Sequence, residues 1–431
     1  MKSYFYKLIG AELSQFSKYY PSVWLIRAQE IKDSLLHLYL ANSKVNTLPT
    51  HNQIPMNSEN DLVILEGVIN YDNNIQQTLE EIYSRLSRNG RVAVVLFNSY
   101  LKIFYQIANL LRLRKNPVPT VFLTKLNLEN LAKLSGYELV YLRPCIYFPF
   151  YIPLLSSVIN SLLPTLSFMN NFSFAQIGLL RPIKKEIKLP SISIIIPARN
   201  EKGNIKNAIT RLETLPTTDI EVIFVEGNST DGTYEEIEQL IKSYNGKYTL
   251  KLFKQKSKGK KDAVDVGYEK STKELITILD ADLTMPPEDL VKFYKAYCDG
   301  LGDFINGNRL FYPMEDEAMK PLNFLGNIFF AKSLSYVLRE ELSDSLCGTK
   351  LFSSHHLKMI QNWNKDFGEF DPFGDFEMIF PASILGLGII NVPISYRNRV
   401  YGTTNIQRFY HGLMLLKMTF VGFVHVRLGK K

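Results

Sequence analysis

The sequence predicts an α/β chain of two domains, each built on a mostly parallel sheet. Three observations carry this. Short apolar runs rich in Ile, Val and Leu alternate with segments of helical spacing, as buried parallel strands alternate with crossover helices. Several runs end in loops of Asn, Asp, Glu, Lys and Gly, the chemistry found where open α/β sheets hold ligands. A charged stretch bracketed by prolines, 181–190, divides the two halves.

At 431 residues the chain has room for two cores. Its 46% apolar and 21% charged content excludes general disorder. A net charge of +8 suits an anionic partner: a nucleotide diphosphate, an anionic membrane surface or nucleic acid. Cys145, Cys298 and Cys347 are scattered and odd in number, which argues for a reducing compartment and against a disulfide framework. No Cys/His set has zinc spacing, and the N-terminus lacks a signal-peptide core.

Residues 1–60 are mixed and give no clear element. Asp61–Glu66 then reads as a buried strand. Ile75, Leu79, Ile82 and Leu86 follow at helical spacing, Asn89-Gly90 turns, and Arg91–Phe97 is a second buried strand. With the run Tyr137–Leu142, this order resembles the later half of a class I S-adenosylmethionine-dependent methyltransferase over about 61–180. That family's Gly-rich cofactor turn is missing, since Gly10 is the only glycine in residues 1–60. The resemblance therefore implies a degenerate methyltransferase-like domain, 1–180, that serves as a platform. Residues 144–180 contain no Asp, Glu, Lys or Arg, and their apolar run is interrupted by Pro149, Pro153, Asn160 and Pro164. They are too broken to span a membrane. The expectation is a buried or inter-domain segment, the alternative an element lying in a membrane face.

After the linker, Ser191–Ile196 reads as a strand ending in Pro197-Ala-Arg-Asn-Glu201. Ile220–Val225 is the next, ending in Glu226-Gly-Asn-Ser-Thr-Asp-Gly-Thr233, and Tyr248–Phe253 the third. Gly259-Lys260 opens a helix. The run Leu275–Leu279 is a fourth strand, ending in Asp280-Ala281-Asp282, and Pro286-Pro287 suit the start of another helix. Asn200, Glu201 and Glu226 can hydrogen-bond a base or ribose, and Lys260 can reach a phosphate. Asp280 and Asp282 leave a strand two residues apart, so both can point the same way and hold a hard divalent cation. Alone, the pair reads equally well as a cap for the next helix.

Those four motifs in that order resemble a family 2 glycosyltransferase of the GT-A fold, a Rossmann-like nucleotide-diphospho-sugar transferase domain, over 191–410. Leu279–Glu288 is most similar to the polyprenyl-phosphate or dolichol-phosphate sugar transferases. The resemblance implies that Pro197, Ala198, Asn200, Glu201 and Glu226 bind the nucleoside. Asp280 and Asp282, with Ala281 between them, would bind Mg²⁺ or Mn²⁺ and the diphosphate. Asn306-Gly-Asn-Arg309 resembles the family's strand ending in a diphosphate-binding Arg, and Arg397 to Thr404 its basic closing loop, with Arg399 at the phosphates. Asp344–Lys350 resembles the turn beside the acceptor. Asp375 or Glu377 would be the catalytic base for a hydroxyl acceptor, whereas a phosphate acceptor needs none. The sequence departs from the family at Glu226-Gly227, where two acids are common, and at Thr284, where Gln is common.

The activity so implied moves a sugar from a UDP- or GDP-sugar donor to a lipid-phosphate or glycan acceptor in envelope or glycan biosynthesis. No nucleic acid is involved. Residues 411–431 read as an amphipathic helix, packed on the domain or seated at a membrane surface, so the enzyme is expected in the cytoplasm or peripheral on the membrane's cytoplasmic face. Two other readings stay open: a bifunctional methyltransferase/glycosyltransferase, and a non-catalytic nucleotide-sugar-binding scaffold.

Overall fold

The computed structural model describes residues 2–42, 44–56, 61–112, 116–212, 215–315, 319–368, 371, 373–402 and 408–428. It divides into two compact units. One comprises Met1–Lys184, Ile384–Gly386 and Phe423–Lys431, the other Lys185–Ser383 and Leu387–Gly422.

The first unit holds a six-stranded sheet of β1 (Val23–Arg27), β2 (Val45–Leu48), β3 (Leu62–Glu66), β4 (Arg91–Phe97), β5 (Tyr137–Pro144) and β6 (Ala175–Pro182). The order is β2-β1-β3-β4-β6-β5. The first four run parallel, and β6 is antiparallel to both β4 and β5. Strands β3 and β4 are buried along nearly their whole length, because the crossover helix Ile75–Arg85 packs Leu79 and Ile82 into the same core as Val63, Leu65, Val92 and Val94. Residues 1–60, which carry no strong periodicity, add β1, β2 and the helix Lys2–Ser17. At the carboxyl ends of β1 and β3, Arg27 pairs with the buried Glu66 at 3.1 Å. Burial raises the Glu66 carboxyl above its usual range.

The expectation of a buried segment fails over residues 150–172. Tyr151, Leu154, Leu155, Phe168 and Phe172 are exposed, while the large buried apolar side chains lie at the flanks, in Ile146, Tyr147 and strand β6. Apolar composition reports what a segment is made of and carries no information about what covers it.

The second unit is a seven-stranded sheet of β7 (Ile192–Ala198), β8 (Ile220–Glu226), β9 (Thr249–Lys254), β10 (Leu275–Ile278), β11 (Phe304–Asn308), β12 (Lys350–Ser353) and β13 (Ile389–Pro393). The order is β13-β11-β12-β10-β7-β8-β9. Strands β7, β8, β9 and β10 are parallel neighbours, so their carboxyl ends share one edge. Strand β12 is antiparallel to β10 and β11, which brings its first residue, Lys350, to that same edge. The helix Lys260–Lys270 crosses over β7 and lies so close that a Cβ at Gly267 would clash with the Ile195 side chain. Among the described residues, no helix is long and apolar enough to cross a membrane.

Candidate active site

Strand β10 ends with Leu279 N–H donating to Ile195 O at 2.9 Å, and the chain then leaves the sheet at Asp280. Leu283 takes a left-handed φ of 54° and turns the loop. The Thr284 N–H and hydroxyl donate to Asp282 Oδ1 at 3.1 and 2.9 Å. One Asp282 oxygen thus caps its own turn. The other, Oδ2, accepts from Arg399 Nη2 at 2.5 Å. The Asp280 carboxylate pairs with Lys260, the first residue of its helix. Burial pushes the Asp280 carboxyl up, but Lys260, with Arg309 and Lys350 behind it, holds it below the usual range. Gly348 packs directly against this pair: a Cβ there would lie 2.8 Å from Asp280 Oδ2 and closer still to Lys260 Nζ.

The loops after β7 and β8 are tied to each other. Ala198 stands opposite Glu226 in the parallel register. Asn200, at φ 56°, accepts from Thr230 N–H at 2.9 Å and donates its own N–H to Ser229 Oγ at 3.0 Å. Ser229 N–H donates to Glu226 Oε1 at 2.5 Å. Glu201 is buried, accepts from Asn204 Nδ2 at 2.7 Å and from Arg399 Nη1 at 3.2 Å. Arg399 therefore bridges Glu201 and Asp282. Burial, against the pull of Asn204 and Arg399, pushes the Glu201 carboxyl up to about 7. The segment carrying Arg399 is fastened by Tyr401, whose hydroxyl donates to Asp231 at 3.1 Å.

Beyond Asp280 the edge continues with two ion pairs. Arg309, just past β11, clamps the fully buried Asp344 through Nε and Nη2 at 2.7 and 2.8 Å. Lys350, also buried, pairs with Asp375 at the start of the helix Asp375–Ile384 and donates to Cys347 O. Glu377 accepts from the Asp371 N–H at 3.1 Å and sits 3.4 Å from Lys261. Burial beside Asp375 pushes the Asp371 carboxyl up to about 6. Lys260, Lys261, Lys350, Asp375 and Glu377 line one small pocket next to Asp280.

The structure thus gathers Glu201, Lys260, Asp280, Asp282 and Arg399 at one strand edge, with Arg309 and Asp375 alongside. Pro197, Ala198 and Glu226 are the last residues of β7 and β8, which run one or two residues further than the sequence suggested, and Thr403 and Thr404 fall outside the described residues. The sequence placed Gly348 and Lys350 in the acceptor turn, Asp231 in a capping turn and Tyr401 in the closing loop without giving any of them its partner, and it missed Asp371. The partners of the first four are far away in the chain, so no local pattern marks them. The one available signal was Asp371, four residues before Asp375 and able to cap the coming helix: it accepts from the N–H groups of Phe373 and Phe376.

Among the described residues, no group of three or more His, Cys, Asp or Glu side chains is arranged as a metal cage. The donor set does fit Mg²⁺ or Mn²⁺ bound with a substrate. Such cations take a few carboxylate oxygens and fill their remaining positions with water and phosphate oxygens. Asp280 and Asp282 supply those carboxylates, and both now face basic side chains that a cation would replace.

Residues 193–361 match the description "Glycosyl transferase family 2". A dolichol-phosphate mannosyltransferase of Pyrococcus furiosus is 32% identical over 120 residues, 27% of this chain and 33% of that protein. A dolichyl-phosphate hexose transferase of Haloferax volcanii is 25% identical over 232 residues, 54% of this chain and 93% of that protein. The chain thus spans about a third of the first relative's length and most of the second's. Among solved structures, a mannosyltransferase of Pyrobaculum calidifontis in complex with GDP-Man and Mn²⁺ is similar at 18% identity and a TM-score of 0.38, covering 58% of this chain and 68% of that one. The GT-A expectation for the second unit rests on the family match, and residues 193–361 form a glycosyl transferase family 2 domain.

Proposed function

We propose that the chain transfers a hexose from a nucleoside-diphosphate sugar, UDP- or GDP-linked, to a lipid-phosphate acceptor, with Mg²⁺ or Mn²⁺ as cofactor. One observation carries the reading: two carboxylates at a strand end, each held by a basic side chain that can pass to a phosphate. A divalent cation bound at Asp280 and Asp282 would neutralise charge on the diphosphate as the sugar–phosphate bond breaks. The chain's own residues do the rest. Asn200, Glu201 and Glu226, on loops bonded to one another, hold the nucleoside in a fixed place. Lys260 and Arg399 turn from the carboxylates to the phosphates and stabilise the leaving group. Arg309, fixed by Asp344, adds positive potential at the same edge without moving.

Lys261 and Lys350 make the adjoining pocket suit an anionic acceptor. Asp375 is ion-paired to Lys350, so the carboxylate that would serve as a base is already engaged. A phosphate acceptor is already ionised and needs none, so the pairing favours lipid phosphate over a glycan hydroxyl. The relatives' names agree with this choice. On this reading the protein works in envelope or glycan biosynthesis, peripheral on the cytoplasmic face of the membrane. The first unit is a degenerate methyltransferase-like platform, and the Arg27–Glu66 ion pair sits at the carboxyl ends of β1 and β3. Calorimetry with S-adenosylmethionine should show no binding heat.

The test is transfer of radiolabelled hexose from UDP- and GDP-sugars to a polyprenyl phosphate, with and without Mn²⁺. Asp280→Asn and Asp282→Asn should each cut the rate at least a hundredfold while the melting curve is retained. Full activity in either variant, or donor binding with no turnover over a broad acceptor panel, overturns the reading.

A further inference from the structure

We infer that the first unit carries a docking surface for an anionic lipid bilayer, formed by the helix Lys102–Leu110 together with residues 150–172. The inference concerns a different part of the chain from the transferase site and stands or falls separately from it.

The arrangement there is turned inside out. On the helix Lys102–Leu110, Ile103, Phe104, Ile107 and Leu110 follow helical spacing on one face, and that face is open: Leu110 is 81% exposed. Only Tyr105 turns inward, into an aromatic cluster with Phe97, Phe122 and Phe174. The helix Leu155–Leu162 repeats the pattern. Leu155, Val158 and Leu162 lie outward, while the polar Ser156 is buried. Just before it Leu154 is 84% exposed, and Phe168 is 70% exposed on the turn that follows.

The two parts are joined. Asn98 donates to Asn171 O and Ser173 O at 3.0 and 2.8 Å, and the Tyr105 hydroxyl donates to Phe174 O. Two exposed apolar segments are thereby tied together at Asn98 and Tyr105, more than the singly scattered apolar side chains ordinary on a surface.

Several polar groups of this irregular region are bonded from within, although Asn170 Oδ1 is buried without a hydrogen-bond partner. Asn160 accepts from the N–H groups of Tyr147 and Phe148 and donates to Phe148 O. Ser156 Oγ donates to Phe150 O and Ile152 O. A backbone bonded by its own Asn and Ser side chains, with Leu and Phe outward, is what a water-poor interface requires.

Charge decides what covers the surface. Residues 150–172 carry no charged side chain, and residues 99–125 carry Lys102, Arg112, Arg114, Lys115 and Lys125 with no Asp or Glu. Lys102 and Arg112 are exposed at either end of the apolar helix. An apolar face with only basic side chains in its flanking sequence complements anionic headgroups over an apolar core. A second copy of the same surface would bring like charges together.

The experiment is co-sedimentation of the full chain with vesicles that contain neither donor nor acceptor, so it is blind to transferase activity. One vesicle set is phosphatidylcholine alone, the other phosphatidylcholine with a third phosphatidylglycerol. Binding is expected to the anionic vesicles and to weaken with salt. Phe104→Asp/Leu110→Asp and Leu154→Asp/Phe168→Asp should each weaken it about tenfold or more, as apolar surface is lost and negative charge added. Leu413→Asp/Phe420→Asp, on the helix Arg408–Gly422, should retain most of it. Should a variant melt early, Ile107→Cys carrying an environment-sensitive dye reports instead, with emission that rises only when anionic vesicles are added. The inference is overturned by any of three results: no binding to either vesicle set, binding that tracks Leu413 and Phe420 alone, or a dye signal that follows protein concentration without lipid.

Discussion

Replacing Arg309 by Met separates two roles that this residue could fill. Asp344 is fully buried, and its carboxylate is bonded to Arg309 through Nε, Nη2 and the backbone N–H, with a further N–H from Leu346. Arg309→Met removes the charge partner and leaves the carboxylate behind, a change that costs about 3–5 kcal/mol. For a domain of this size each kcal/mol moves the midpoint by roughly 2–4 °C, so the second unit should melt about 6–20 °C lower. Arg309→Met/Asp344→Leu, which removes both charges, should recover at least half of that loss. The pH dependence has a sign. Burial pushes the Asp344 carboxyl up but Arg309 holds it below its ordinary value, so in the wild type its contribution is whole above about pH 4 and is lost as pH falls through the lower folded value. Without Arg309 the buried carboxylate titrates high, so the deficit of Arg309→Met should be smaller at pH 5 than at pH 8. Differential scanning calorimetry at the two pH values reads all of this. A midpoint unchanged within about 2 °C, together with lost donor binding, would refute the clamp and make Arg309 a pure phosphate ligand.

Three further outcomes follow from the same edge. Gly348→Ala should lower transfer at least tenfold with little change in melting, because its Cβ would displace the Asp280 carboxylate; unchanged kinetics would show that the close approach is dispensable. With Glu201 raised to about 7, the metal-free wild type should lose stability as pH rises from about 4.5 to 7, by up to about 3 kcal/mol, whereas Glu201→Gln should not; parallel stability curves would contradict this. Gly267→Ala forces a methyl group against Ile195 beneath the site and should cost about 1–3 kcal/mol in chemical denaturation, and a neutral result would mean that the helix Lys260–Lys270 can shift outward.

Much of the fold was legible because buried parallel strands write themselves as unbroken Ile/Val/Leu runs. Strands β3, β4, β7, β8 and β10 lie within a residue or two of their expected spans. Strands β1 and β2 were not, since Val23–Arg27 contains Trp and Arg and Val45–Leu48 alternates weakly. Strand β12 has four residues and lies antiparallel, so a sheet read as strand, helix, strand gives no cue to it. At the site, single side chains at strand ends could be named from position. The pairs could not: Arg399 with Asp282, Arg309 with Asp344 and Lys350 with Asp375 join residues whose proximity arises only from the tertiary fold. The open face at 150–172 was misread for the opposite reason, as its local pattern is strong but silent about its surroundings.

The strand that delivers Asp280 sits in the middle of its sheet, between β7 from the domain's beginning and β12 from well past its centre. Neither neighbour is close in sequence, and the residues that complete the edge run from Glu201 to Arg399. A local kernel from Lys260 to Asp282 carries three of these side chains, but Glu201 and Arg399 lie outside it, so no early, local kernel of the folding chain can complete the constellation. Sheets of such long-range pairing fold on the slow side, because loop closure comes before the contacts that reward it. The candidate site's edge is therefore expected to be completed in a single late step, with Arg399 as the last piece to reach its seat. A refolding experiment that follows ligand binding and sheet signal together should find the first trailing the second.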